Sequence, residues 1–137
     1  FDFEEDEDVL IWMASHDGYE KNFNKIVKRK IIISKKFDSI KGQDSIISTK
    51  LNVKKVFYNI RFHLTPHCSC LITNNHKKAL IKTKLNQSWI FETDSNITLE
   101  DSIIIYDGKK IEKTKQIVIS NYATSAKKTD AWSLTKK

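Results

Sequence analysis

The stretch Val56–Leu64 has the sequence VFYNIRFHL, and its alternation decides the fold class. Successive side chains of an extended strand point to opposite faces, so every second residue shares a face. One face is apolar and consists of Tyr58, Ile60, Phe62 and Leu64. The opposite face carries a guanidinium and an imidazole among its members, which are Phe57, Asn59, Arg61 and His63. This pattern predicts a β-strand with a core on one side.

Similar short segments, rich in β-branched or aromatic residues, recur along the chain. They are Val9–Ala14, Ile26–Ser34, Cys68–Thr73, Ala79–Leu85, Ser88–Thr93, Leu99–Tyr106, Lys113–Ser120 and Ala131–Leu134. Turn-forming residues separate them, namely Asp17-Gly18, Lys41-Gly42, Thr73-Asn74-Asn75, Asp94-Ser95-Asn96 and Asp107-Gly108. No long segment has the 3.6-residue period of an amphipathic helix. The sequence predicts an all-β fold without helices, an antiparallel β-sandwich of two sheets with roughly 9 to 11 strands.

The chain of 137 residues suits one domain, residues 1–137, in which residues 1–8 form an acidic lead-in. Because it begins with Phe1 rather than Met, we expect it to be a piece of a longer protein. The net charge is +7, yet only Arg29 and Arg61 of the 24 basic residues are arginines. Since specific anion recognition favours arginine, we expect no nucleic-acid partner. A nucleic-acid binder would also need aromatic residues exposed among the lysines, with Trp89, Phe91 and Tyr106 as candidates. No apolar stretch is long enough to cross a bilayer.

The two cysteines, Cys68 and Cys70, lie two residues apart in the segment HCSC. Residues at this spacing on a strand point the same way and rarely form a disulfide. The spacing matches no standard zinc pattern, even with His67 and His76 nearby. We therefore interpret both cysteines as strand residues.

Four motifs occur in a definite order along the chain: SHDGY at residues 15–19, GQD at 42–44, RFHLTP at 61–66 and QIVIS at 116–120. Together they resemble the C-terminal β-sheet domain of the heparinase II/III-like family of polysaccharide lyases. The resemblance covers nearly the whole chain. It implies a larger protein, in which an upstream α/α toroid carries most catalytic residues and the sandwich closes the substrate cleft. It also implies β-elimination at a uronic acid unit of an acidic polysaccharide.

The resemblance implies roles for particular residues. His16 is the candidate catalytic histidine, which can exchange a proton near neutral pH or pair with the substrate carboxylate; the alternative is a turn histidine bonded to Asp17 or to nearby backbone. Tyr19, Arg29 and Arg61 are candidate substrate-binding residues. Tyr19 alternatively packs at the strand edge, and Arg61 alternatively pairs with an aspartate of the sheet.

A metal site is the least complete part of the resemblance. Asp44 and His63 match two family ligands, but Thr65 stands where a second histidine is usual, and Val27 or Lys28 replaces another histidine. The expectation is either no metal or a zinc or calcium ion held by an altered set of ligands. Without a metal, His63 is expected to hydrogen-bond with Asp44.

These features leave two functions open. The first is the C-terminal domain of a lyase whose partners are an acidic polysaccharide and the upstream toroid, with the isolated piece inactive. The second is a non-catalytic β-sandwich that binds carbohydrate or protein and has lost the chemistry. The family resemblance suits a periplasmic or extracellular location, and the residues themselves leave the compartment open.

Overall fold

A computed structural model describes all residues, 1–137, and consists almost entirely of two antiparallel sheets. The large sheet has the strand order β1-β2-β3-β4-β11-β8-β7-β6. Its strands are β1 (Asp2–Glu5), β2 (Val9–His16), β3 (Lys25–Ser34), β4 (Ser39–Ser48), β6 (Ser69–Ile72), β7 (Lys78–Lys82), β8 (Ser88–Thr93) and β11 (Lys127–Lys136). The small sheet has the order β5-β10-β9, with β5 (Val56–His63), β9 (Ile97–Tyr106) and β10 (Lys110–Ala123). The predicted sandwich class and strand number are confirmed.

The core lies where the small sheet packs on the half of the large sheet formed by β11, β8 and β7. Burial along β5 alternates as the sequence predicts, with its apolar face inward. The run QIVIS lies in β10 between β5 and β9, and its Ile117, Val118 and Ile119 are buried on both faces, as its continuous apolar character predicts. Phe62 of β5 contacts the rings of Phe91 and Trp132 from the large sheet at centroid distances of 4.8 and 4.9 Å. These aromatic contacts hold the two layers together.

Within the acidic lead-in, Asp2–Glu5 forms β1, which pairs with β2 at the sheet edge. Two local predictions from the sequence are wrong. A one-turn helix, α1 (Glu20–Phe23), follows SHDGY, so the link from β2 to β3 is longer than an Asp-Gly turn. Lys41-Gly42 is not a turn but lies inside β4, where Gly42 is paired with Trp132 of β11. Asp107-Gly108 is the tight turn predicted, with φ of 50° and 67° as the favoured hairpin turn requires.

Position 42 of β4 requires a glycine because the Trp132 indole lies directly over it, where any β-carbon would overlap the ring. We expect Gly42→Ala to lower the free energy of unfolding by about 1–3 kcal/mol, as overpacking of a core does. Urea unfolding measures this change. Lys41→Ala, which truncates an exposed neighbour, is the control and should have little effect. Equal stability of Gly42→Ala and the parent would contradict this packing.

The structure has no helix with the length and apolarity that a membrane span needs.

Candidate functional site

A row of polar side chains crosses the inner face of the large sheet. Arg29 on β3, Asp44 on β4 and Asp130 on β11 are direct cross-strand partners, so their side chains share that face. Arg29 holds Asp44 bidentately, with Nε–Oδ1 and Nη2–Oδ2 distances of 2.5 and 2.9 Å. Trp132 Nε1 donates a third hydrogen bond to Asp44 Oδ2 at 2.9 Å. Asp44 is only 4% exposed, so its charge is compensated inside the protein rather than by water.

Asp130 forms a second buried carboxylate centre and joins the two sheets. It accepts hydrogen bonds from Ser95 Oγ and Asn121 Nδ2, both at 3.0 Å, and from the Tyr58 hydroxyl of the small sheet. Burial, and then the hydrogen bond to Asp130, raise the pKa of the Tyr58 phenol above its ordinary value. Tyr58 therefore stays protonated at neutral pH and acts as a donor to Asp130, not as a base.

A cavity of about 500 Å³ opens beside this polar row, between β3 and β4 of the large sheet and β5 of the small one. Its walls combine aromatic and charged side chains, including Tyr19, Phe57, Lys25, Arg29 and Arg61. Pockets of this size that combine apolar walls with a few polar groups are typical small-ligand sites. Planar rings beside cationic groups suit the faces and the acidic substituents of a charged sugar.

His16 lies at the exposed end of β2, at the rim of the cavity: it does not line the cavity itself but neighbours two residues that do. It is the cross-strand partner of Val27, which lines the cavity, and its ring meets the Tyr19 ring edge-on at 5.6 Å. Its Nδ1 accepts a hydrogen bond from the Gly18 backbone N–H at 3.3 Å. In the neutral ring this hydrogen bond assigns the proton to Nε2, which is then a donor. Gly18 is required for this arrangement, because a β-carbon there would overlap the imidazole.

Arg61 and His63 lie on the outer face of β5, as the alternation predicts. Arg61 pairs with Glu100 across the small sheet, with an Nη1–Oε2 distance of 2.6 Å, and also reaches the cavity wall because β5 is an edge strand. His63 Nδ1 lies 2.7 Å from Ser102 Oγ. The hydrogen bond expected between His63 and Asp44 is absent, since all the hydrogen bonds of Asp44 come from Arg29 and Trp132.

Asp44 and His63 do not fit a shared metal site. Asp44 faces inward and is held by Arg29, whereas His63 is exposed on the outer face. No group of three or more His, Cys, Asp or Glu side chains is placed to hold a metal ion. Burial, and then the neighbouring Cys68, raise the pKa of the Cys70 thiol to about 11, so Cys70 is protonated at neutral pH.

The aromatic residues proposed for nucleic-acid stacking do not form one exposed face. Phe91 is 2% exposed in the core, Trp89 is half-buried against it, and Tyr106 alone is exposed. A stacking platform among the lysines needs several exposed rings on one surface.

The structure also shows three functional candidates that the sequence patterns did not single out: Lys25, Tyr58 and Asp130. Tyr58 was assigned to the core face by its alternation, correctly, but nothing local indicates its buried acceptor. Asp130 carried one usable signal, since it lies two residues before Trp132 and therefore on the same face as a core tryptophan.

Comparison with known proteins identifies the protein family. Residues 1–133 match the family described as heparinase II/III-like, C-terminal, and the chain belongs to this family. Among solved structures, it is similar to heparan sulfate lyase HepC from Pedobacter heparinus, with a TM-score of 0.79 and 10% identity over 98% of this chain and 21% of that one. It is also similar to two structures of heparinase III, with TM-scores of 0.78 and 0.68 and identities of 7% and 13%. The two matches cover 98% and 99% of this chain and 20% of each heparinase III chain.

At these identities the structures show a shared fold, that of the C-terminal β-sandwich domain of heparinases. The chain spans about a fifth of the length of the solved structures it matches. No curated protein matches it.

Proposed function

We propose that this chain is the C-terminal domain of a lyase that cleaves a uronic-acid-containing polysaccharide by β-elimination, and that its cavity forms one wall of the substrate cleft. The observation that carries the proposal is His16, exposed at the rim of a cavity with aromatic and cationic walls and next to Tyr19. Family membership and the heparan sulfate lyase among its structural relatives support a polysaccharide substrate. An upstream toroid would supply the opposite wall.

The proposed chemistry makes specific demands on the site. A base removes the proton at C5 of the uronic acid, the C4–C5 double bond forms, and the C4–O bond breaks with a proton supplied to the leaving oxygen. The C5 proton is acidic enough only when the neighbouring carboxylate is neutralised by hydrogen bonds or positive charge. His16, an exposed residue with its proton on Nε2, can donate to that carboxylate or to the leaving oxygen.

The two arginines have unequal freedom to bind substrate. Arg29 donates hydrogen bonds to Asp44 through Nε and Nη2, which leaves one guanidinium nitrogen, Nη1, for a ligand. Its main contribution is therefore to the shape of the cavity wall. Arg61 pairs with Glu100 through Nη1, but its side chain is 40% exposed. We therefore propose Arg61 and Tyr19 as the better substrate contacts and Arg29 as a residue that positions the wall.

The test is an elimination assay with the longest form of the protein that carries this domain. It is incubated with heparan sulfate, hyaluronan and alginate, and the ultraviolet absorbance of the unsaturated sugar is followed. The proposal predicts a rise with at least one of these uronic acid polymers. Binding without any such rise would contradict it and favour the non-catalytic binding module. The Arg29–Asp44 and Tyr58–Asp130 pairs would then be purely structural.

Gly18 offers a way to move His16 without altering the imidazole. We expect Gly18→Ala to displace the ring, because the new methyl group would overlap it. The expected result is roughly a tenfold to hundredfold fall in kcat, since small misplacements of a catalytic group are costly. The melting temperature should change little, because the ring lies at the surface and can move aside. A large fall in melting temperature with an unchanged rate would contradict this role for Gly18.

A further inference from the structure

Lys25 is the one cation of the cavity wall that is buried without a negative partner. It lies at the start of β3 opposite Ser48 of β4, and the residue is 4% exposed. Its ammonium donates one hydrogen bond, to Ser48 Oγ at 2.5 Å, and no carboxylate lies within ion-pair distance. Arg29 and Arg61, the other cations of the wall, each have a carboxylate partner.

This arrangement is costly for the folded protein. A buried ammonium needs a counter-charge or a full set of acceptors to offset its lost hydration. Lysine has three N–H donors, and Ser48 satisfies one of them. The remaining donors belong to a residue that lines a cavity of about 500 Å³, a volume within the range of small-ligand sites. An anion in that cavity would supply the missing charge and acceptors.

We propose that Lys25 anchors an anionic substituent of a sugar, a carboxylate or a sulfate, and so makes the cavity a subsite for an acidic sugar unit. The saccharide nature of the ligand rests on the proposed function; the need for an anion rests on Lys25 itself. Tyr19 and Phe57 border the same cavity and offer ring faces to the sugar. Binding of the anion then compensates for the lost hydration of the unpaired Lys25 ammonium.

The test measures binding of this chain by calorimetry to three tetrasaccharides: one with unsulfated uronic acid, its carboxyl-reduced neutral form, and a sulfated one. Lys25→Met keeps most of the aliphatic stem and removes the charge. It should weaken binding of an acidic tetrasaccharide by about tenfold to a hundredfold, the usual weight of a charged hydrogen bond. Binding of the neutral form should not change. The melting temperature should stay the same or rise, because an unpaired buried charge has gone.

The matched control is Lys28→Met, which removes the same charge from an exposed residue on the opposite face of β3. It should leave binding within about twofold of the parent, since exposed charges contribute little. Lys25→Arg should keep most of the affinity. In the unchanged protein, the NMR signal of the Lys25 side chain should shift on titration, which tests the proposal without any variant.

The outcomes separate the two proposals. A preference for the uronate or for the sulfate identifies the recognised group and supports the site in either case. Unchanged acidic binding by Lys25→Met, or equal binding of acidic and neutral forms by the parent, overturns the role of Lys25 and leaves the lyase proposal standing. A Lys25-dependent preference of this chain, combined with no unsaturated product from the longest form of the protein, overturns the lyase proposal and leaves the anion site standing.

Discussion

Replacing Asp44 with alanine is expected to destabilise the domain by about 3 kcal/mol, at the lower end of the range for breaking a buried ion pair. The substitution leaves the Arg29 guanidinium without its bidentate partner and the Trp132 indole N–H without an acceptor. The lower end applies because the Arg29 side chain is 35% exposed and can regain some water. For a domain of this size the melting temperature should fall by roughly 10 °C, which calorimetry or circular dichroism measures.

The matched control is Glu100→Ala, which removes the carboxylate partner of the other arginine. The Arg61–Glu100 pair is nearly as short at 2.6 Å, but its side chains are 40% and 45% exposed. Exposed pairs contribute about 0.2–1 kcal/mol, so this variant should be nearly as stable as the parent. Equal losses of stability in the two variants would mean that burial does not determine how much each ion pair stabilises the domain. The polar row would then not be a structural centre.

The second large effect is expected at His16. In a lyase that carries this domain, His16→Asn should lower kcat by about 10²–10⁴, the usual contribution of a general acid or base. Asparagine is smaller and polar but has no group that gains or loses a proton near neutral pH. The initial rate of absorbance increase from the unsaturated sugar measures the effect. The melting temperature should not change, because His16 is exposed and makes one local hydrogen bond.

His76→Asn makes the same chemical change at a place remote from the cavity. His76 lies in the turn between β6 and β7, at the opposite edge of the large sheet from β2. Its φ is 54°, a conformation that asparagine also adopts readily. This variant should keep the full rate. An unchanged rate in His16→Asn as well would remove His16 from the mechanism.

The strands could be predicted from the sequence because alternation is a local signal. The β5 stretch VFYNIRFHL has the burial pattern that its letters predict, and Ser88–Thr93 was bounded correctly. β4 could not be found in the same way, because SIKGQDSIIS contains Gly42 and polar residues that locally favour a turn. Its strand conformation depends on Trp132, ninety residues later, whose indole lies over the glycine. Local propensity gave way to a tertiary contact there.

The candidate site was only partly accessible to sequence reasoning. The motif order located His16, Tyr19, Arg29, Asp44 and Arg61, and the structure places all of them in or beside one cavity. The partners of these residues could not be predicted. The register of the strands determines that Arg29 binds Asp44, that Arg61 binds Glu100 and that Lys25 has no carboxylate partner. No single segment of the sequence encodes that register.

The most direct test of the central claim, that the cavity and not another surface faces the acidic polysaccharide, uses the four histidines of the chain as reporters. His16 lies at the cavity rim, His63 on the outer face of the small sheet, and His67 and His76 in turns of the chain. Their imidazole signals are followed by NMR while an unsulfated uronic acid oligosaccharide is added. We expect the His16 signals to shift in a saturable manner while the signals of the other three histidines stay in place. Shifts at His63, His67 or His76 with His16 unmoved would contradict it.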